Sequence, residues 1–556
     1  MNKPCVSTAK QKGGRKSWQE QKNGMNHLRS GPVNTDEVFQ WPQTIAESLC
    51  TSTEIPGTID TEMVLRFKTN LLEGINYVGE YAGMECASQA LQNVIGAFEK
   101  HNGLDRIAPG LSVEHMCDRS PLALKVLAKL ARNLYEEQKW HDKDAIMPCV
   151  LNNILGRLPT FGRDFIAEGM PSAEMNADIK AAKHRALKAW IIANRTQLFP
   201  PDATSECIVH NKHCPVTRVG FGAKRKRNGQ GLQVACGGVV CLPWTAIGDS
   251  QKDSHETDVV HSLFVQEGIA RAEQQLEHVR FIECTPRYPI KQLIEDTSAS
   301  HRIVYIIDSA EQHGHPAKRR RLLAAMLPYE TVSWHGPETH NDMQQEWSKR
   351  FHRKMAVNGD SLMLADTDES AELFQHLASV QKTELAPSSI SGINKAELLA
   401  IILPGGYQHR IEEWRRCLHD STDPEDTDAS MWIDADNYPA KKGASGGPEW
   451  PVLMRSCNIL RITKDPSVWH LASGMEHIAS LGFHCHPQAQ HHCKEEPVVD
   501  ILRTLKPHQQ KSLAGNGMNL ITQGAFMAFV LANVQKKRRM VAQLESELVP
   551  EHDFDL

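Results

Sequence analysis

Apolar positions recur along the chain in two rhythms. Ala87 to Phe98 and Pro121 to Leu134 carry them at helical spacing, whereas Val234–Val240, Val279–Ile282 and Val304–Ile307 are short apolar runs bounded by turn or charged residues. Runs of that kind suit strands buried on both faces of a parallel sheet. Their alternation with helices from about Val64 predicts an α/β architecture. Residues 1–60 differ: Lys, Gln, Gly, Ser and Thr dominate without apolar periodicity, so they read as a disordered polar tail. After Leu327 the rhythm fades into a Trp-, His- and acid-rich stretch with a solvated run at His419–Asp426, and Gly443–Pro448 reads as a linker. Beyond it a helix is predicted over Leu520–Val534, after a Gly-Asn-Gly turn. The organisation expected is a tail at 1–60, a main domain at 61–327 with an insertion at 160–233, a second unit at 328–450, a return to the main domain at 451–540, and an acidic tail at 541–556. No internal repeat is present.

Composition narrows the partners. With 62 Lys+Arg against 67 Asp+Glu the net charge is −5, so no global basic field draws the chain onto nucleic acid and any such contact needs local patches. Basic clusters stand at Lys224–Arg227, Lys318–Arg321 and Lys536–Arg539. No stretch reaches the roughly 18 apolar residues that span a bilayer, so no membrane partner is expected, and a polar N-terminus without an apolar core predicts a soluble intracellular protein. The 14 cysteines are scattered through the chain, which suits thiols in a reducing compartment.

Candidate chemistry begins where an apolar strand runs into Cys241, followed by Leu242, Pro243, Trp244, Thr245 and Gly248. A cysteine at the carboxyl end of a strand lies where α/β sheets place ligands. Phe281-Ile282-Glu283 is a second strand ending in an acid, and Gly314-His315-Pro316-Ala317-Lys318-Arg319-Arg320-Arg321 follows a third. Tyr81-Ala82-Gly83-Met84-Glu85 precedes a helix, Asp118 ends another strand, Asn153 stands in the run Val150–Leu155, and Asn516 lies in a Gly-Asn-Gly turn.

Taken in this order, the elements resemble those of C5-cytosine methyltransferases over residues 70–535. Cys241 to Gly248 resembles the Pro-Cys-Gln-Pro-Phe-Ser-x-x-Gly motif, with Val240 and Leu242 departing from it. Glu283 matches the Glu-Asn-Val acid, and Arg319 and Arg321 match the Gly-x-Pro-Gln-x-Arg-x-Arg arginines, with Ala317 in place of Gln. The resemblance implies a Rossmann-like S-adenosylmethionine-dependent methyltransferase sheet with a smaller, irregular target-recognition domain. It implies catalysis by Cys241, Glu283, Arg319 and Arg321, and S-adenosylmethionine held by Tyr81, Gly83, Glu85, Asp118, Asn153, Pro243 and Asn516. Glu85 stands where the family's Phe-x-Gly-x-Gly loop has its second Gly. Val468 to Phe483 resembles the helix that braces the recognition domain.

The expected partner is DNA, or else RNA, with Arg350–Lys354 and Trp414–Arg416 as candidate phosphate contacts and a nuclear location suggested by substrate and basic clusters. Cys207-x-x-His210-x-x-His213-Cys214 and His484-Cys485-His486 with His491, His492 and Cys493 carry zinc-ligand types, but spacing this close strains a single tetrahedral site and no metal ligand is assigned. Two other readings stay open: a catalytically silent relative that binds nucleic acid or cofactor, and a metal or redox scaffold built on the Cys/His clusters.

Overall fold

The computed structural model describes residues 28–537 except 56, 105–109, 142–144, 173, 217–230, 240–254, 256, 365–366, 384–392, 442–445 and 492–494. Nine strands form the central sheet: β1 (Ile75–Glu80), β2 (Leu111–Cys117), β3 (Cys149–Leu151), β4 (Thr204–Cys207), β5 (Lys212–Pro215), β6 (Leu232–Gly238), β7 (Val279–Cys284), β8 (His301–Asp308) and β9 (Arg321–Pro328). Their order is β5-β4-β3-β2-β1-β6-β7-β9-β8. The five strands from β3 to β7 pair in parallel. The chain winds outward from β1 to β3, then crosses back to lay β6 on the other side of β1. That reversal is the switch point of a doubly wound sheet, where loops diverge and leave a crevice beyond the strand ends. The register brings those ends into one row, Leu151–Cys117–Glu80–Gly237–Ile282.

The run at 304–307, expected as a buried parallel strand, lies in β8 at the sheet edge and pairs only with β9, in antiparallel register. Its burial alternates because one face is solvated.

Both faces of the sheet are covered. Helices α1 (Trp41–Cys50), α2 (Thr61–Glu73) and α3 (Cys86–His101) pack together on one face, and α4 (Pro121–His141) follows β2. The other face is covered by α6 (Thr257–Glu273), against which α5 (Ala177–Ala193) packs. Helix α7 (His340–Phe351) sits on β8 and α1. Two further elements, α8 (Gly406–Ser421) and α9 (Gly474–Ala479), precede α10 (Pro507–Asn516) and α11 (Leu520–Asn533). Helix α11 is buried along its whole length between the sheet and α2 and α3, which is why its sequence is apolar all round.

The N-terminal residues correct the expectation of a tail at 1–60. Within 28–60, α1 buries Trp41, Ile45, Ala46 and Leu49 against α3, a short apolar stripe hidden in a polar stretch. Residues 328–363, expected in the second unit, instead join the main body: Val332–Trp334 pairs with Val534–Lys536, and α7 packs beside α1.

A second sheet, β11-β10-β12-β13, comprises β10 (Ser430–Asp434), β11 (Gly446–Gly447), β12 (Ile459–Thr463) and β13 (Trp469–Leu471). With α8 it buries a separate apolar core around Trp414, Ile433 and Leu460. It extends past the expected boundary at 450. No helix of the described residues is long and apolar enough to cross a membrane.

Candidate active site at the carboxyl edge of the sheet

The first wall of the crevice is the loop from β1 into α3. Tyr81, Gly83 and Glu85 have φ of 51°, 57° and 60°, so three of five residues take left-handed backbone. For Tyr81 and Glu85 that conformation is strained, and such strain gathers at ligand-clamping turns. Gly83 opens onto space: a Cβ there would meet nothing within 4 Å. Asp118, just past β2, accepts from the Gly83 amide (2.9 Å) and the Ser120 amide (2.8 Å), fixing two loops against one another. The Tyr81 hydroxyl donates to the Val260 carbonyl (3.1 Å), so the side chain is turned onto α6. Asn153, expected to hold the cofactor, caps a 3₁₀ turn by accepting from the Leu155 amide (3.0 Å), which engages its side-chain oxygen.

Glu85 does not line the mouth. Its carboxyl folds inward over β1, where a Cβ on Gly79 would overlap it. It is 1% exposed, and its Oε2 has no hydrogen-bond partner among the described residues. Burial pushes this carboxyl up to about 7, against the lowering effect of its Tyr77 and Ser88 hydrogen bonds.

The second wall is where β6, β7 and β9 end. Gly238 lies opposite Glu283 in register, and the Val239 amide donates to the Glu283 carbonyl (3.1 Å). Arg321 Nε pairs with Glu283 Oε1 at 2.8 Å, with both side chains mostly buried. Arg319 reaches nearly 200 residues along the chain and donates to the carbonyls of Gly515 (3.3 Å) and Gly517. The glycines flanking Asn516 therefore matter through their backbone, a role not visible in the sequence. A Cβ at Gly517 would meet Met84 Cε at 2.5 Å and Leu481 Cδ1 at 2.8 Å, so the turn closes directly over the β1 loop. Asn516 itself is exposed at the end of α10. Cys241 and Pro243 lie outside the described residues, as does the cluster at Lys224–Arg227; the strand that leads to Cys241 ends beside Glu283.

Several candidate phosphate contacts are structural. Arg350 is 2% exposed and donates to the carbonyls of Ser48 (3.0 Å), Leu49 (3.1 Å) and Thr51 (2.8 Å). Arg353 is buried on Ser48 Oγ and its own backbone neighbours. Trp414 and Arg415 belong to the second core; Arg416 is exposed. His484 is likewise no metal ligand, because its nitrogens contact Glu496 (2.7 Å) and the Phe39 carbonyl (2.8 Å).

No family model and no curated protein matches the chain. Among solved structures it is similar to the Entamoeba histolytica methyltransferase EhMeth, at 9% identity and TM-score 0.35, over 82% of this chain and 98% of that one. S. pombe Dnmt2 methyltransferase aligns at 10% identity and TM-score 0.37 over 82% and 98%. Spodoptera frugiperda DNMT2 aligns at 10% and 0.32 over 82% and 99%. Agreement this loose decides nothing about chemistry, which rests on the strand order and on the residues at the strand ends.

Proposed function

We propose that this chain transfers a methyl group from S-adenosylmethionine to C5 of a cytosine in DNA, through a covalent adduct at Cys241. The observation that carries the reading is the Glu283–Arg321 pair, held at the end of β7 beside the strand that feeds Cys241. Cytosine C5 is a poor nucleophile, and addition of a thiolate at C6 converts the ring to an enamine that is a good one. Cys241 makes that addition. Glu283 holds a proton against N3, so that ring electrons are drawn from C6, and Arg321 fixes the orientation of the Glu283 carboxyl group. Arg319 ties the turn at 515–517 across the site. Loss of the C5 proton and elimination of the thiol end the cycle. The target base leaves its stack at a cost of roughly a few kcal/mol.

The β1 loop fits the cofactor's methionine end: it wraps through three left-handed residues, Gly83 leaves open space, and the Glu85 side chain is folded out of the way. When bound, the cofactor supplies an electrophilic methyl group. The engagement of Asp118 and Asn153 by backbone amides of Gly83, Ser120 and Leu155 favours a second reading, a catalytically silent relative that binds nucleic acid or cofactor.

The test is covalent trapping on oligonucleotides bearing 5-fluorocytosine, paired with calorimetric titration of S-adenosylmethionine. Wild type is expected to bind cofactor and form an adduct on DNA, Cys241→Ala to bind cofactor without adduct, and Glu283→Gln to trap roughly 10²–10⁴ times more slowly. Cofactor binding without any adduct selects the silent relative. An adduct on RNA alone transfers the activity to RNA.

A further inference from the structure

At the edge of the sheet farthest from β8, three strands bring four ligand-type side chains to one point. Cys149 opens β3, Cys207 closes β4, His210 lies in the turn of the β4–β5 hairpin, and Cys214 lies on β5. Their ligand atoms all fall within 4.8 Å of one another. Sulfur to His210 Nδ1 is 3.5 Å from Cys149, 3.3 Å from Cys207 and 3.5 Å from Cys214. We propose that Cys149, Cys207, His210 and Cys214 form a closed, structural Cys₃His zinc site.

One imidazole nitrogen carries a single proton or a single lone pair, so it cannot make a full hydrogen bond to all three sulfurs at once. Three sulfurs nearly equidistant from one nitrogen are instead arranged as ligands around a common centre. A tetrahedral zinc with bonds of about 2.3 Å to sulfur and about 2.0–2.1 Å to nitrogen sets sulfur–nitrogen separations near 3.5 Å. All three cysteines are buried and none is in a disulfide. Four protein ligands leave no open coordination position, so the site holds structure and performs no reaction.

Strand alternation explains why the sequence run misleads. His213 pairs with Glu206 on the exposed side of the hairpin, while Cys214 pairs with Ser205 on the buried side. His213 is excluded and the fourth ligand comes from β3, far upstream in the chain. The hairpin ends the helical excursion that includes α5, and zinc would staple its return to the sheet four residues before Asn153. The proposal is independent of the methyl-transfer reading.

Metal analysis of the full chain, purified from unsupplemented cells, is expected to give about one zinc per chain, with X-ray absorption reporting three sulfurs and one nitrogen. Cobalt(II) exchanged into the wild type should show thiolate charge-transfer and tetrahedral ligand-field bands. Cys207→Ser is expected to lower zinc to below about a tenth of wild type, while His213→Ala retains it. Wild-type protein without zinc or the cobalt bands overturns the proposal, as does a Cys207–Cys214 disulfide in peptide mapping or full zinc retention in Cys207→Ser. The wild-type measurements decide the matter even where a variant fails to fold.

Discussion

Glu85 heads α3 in left-handed backbone, with its carboxyl packed over Gly79 beside Tyr77. Its pKa is raised from an ordinary 4.5 to about 7, so between those values the folded chain binds a proton that the unfolded chain has released. Stability from this residue therefore falls as pH rises from about 4.5 through 7, then levels off, by at most about 3–4 kcal/mol at about 1.4 kcal/mol per pKa unit. Glu85→Gln removes that slope. Urea unfolding at pH 5 and pH 8 should show the variant gaining on wild type at the higher pH; an equal difference at both pH values would clear Glu85 of the role. The residue was legible as an oddity in a glycine-rich loop motif, but the direction of its side chain was not. Only the gap above Gly79 decides that it points into the core.

At the scale of elements, α1 depends on a residue some 300 positions away. Its last carbonyls, at Ser48 and Leu49, together with that of Thr51, end on the guanidinium of Arg350 in α7, which also pairs with Asp60 (3.0 Å) and Glu346 (2.7 Å). A cation there satisfies orphan carbonyls and the negative end of the helix dipole together. Arg350→Met is expected to cost about 2–4 kcal/mol, because buried charge-assisted hydrogen bonds are lost and the carbonyls stay buried. In hydrogen exchange, amides of α1 should lose protection ahead of those in α3. Uniform loss across both helices would show that the guanidinium is not the clamp. Periodicity found α3, part of α4 and α11 because their apolar faces are long. Helix α1 is ten residues long, and its stripe is too short to stand out from polar neighbours.

For the whole molecule, the sheet is joined to α6 through charge as well as apolar packing. Glu80 pairs with Arg157 (2.5 Å), Arg157 with Glu267 (3.2 Å), Glu267 with Arg271 (2.5 Å), and Arg280 with Glu277 (2.6 Å), all of them buried. Three carboxylates face three guanidiniums, and burial pushes neighbouring His115 toward its neutral form. Burial alone would raise the Glu80 carboxyl, but Arg157 and His115 together outweigh it and hold the group below its ordinary range. Its stabilising contribution is present above the ordinary carboxylate pKa and is lost as pH falls through the depressed value. Arg157→Met is expected to cost about 3–5 kcal/mol by stranding Glu80, and Glu80→Gln in the same chain to recover part of that. A single substitution no costlier than a surface change, read from denaturant midpoints, would mean that water reaches the network.

By itself the sequence determined what is local: the apolar strands, helices α3 and α11 with part of α4, the turn at Gly83, and the order of acids and arginines at strand ends. Periodicity and turn chemistry act over a few residues, so they survive without knowledge of neighbours. Tertiary structure alone decided what depends on distant partners. It placed β9 between β7 and β8, drew α1 into the core, turned Arg350 and Arg353 from candidate phosphate ligands into buried clamps, and set Cys149 beside Cys207 while turning His213 away. Burial of a charge or a thiol is favourable or costly according to what the fold sets beside it, and that is a property of the assembled sheet and helices.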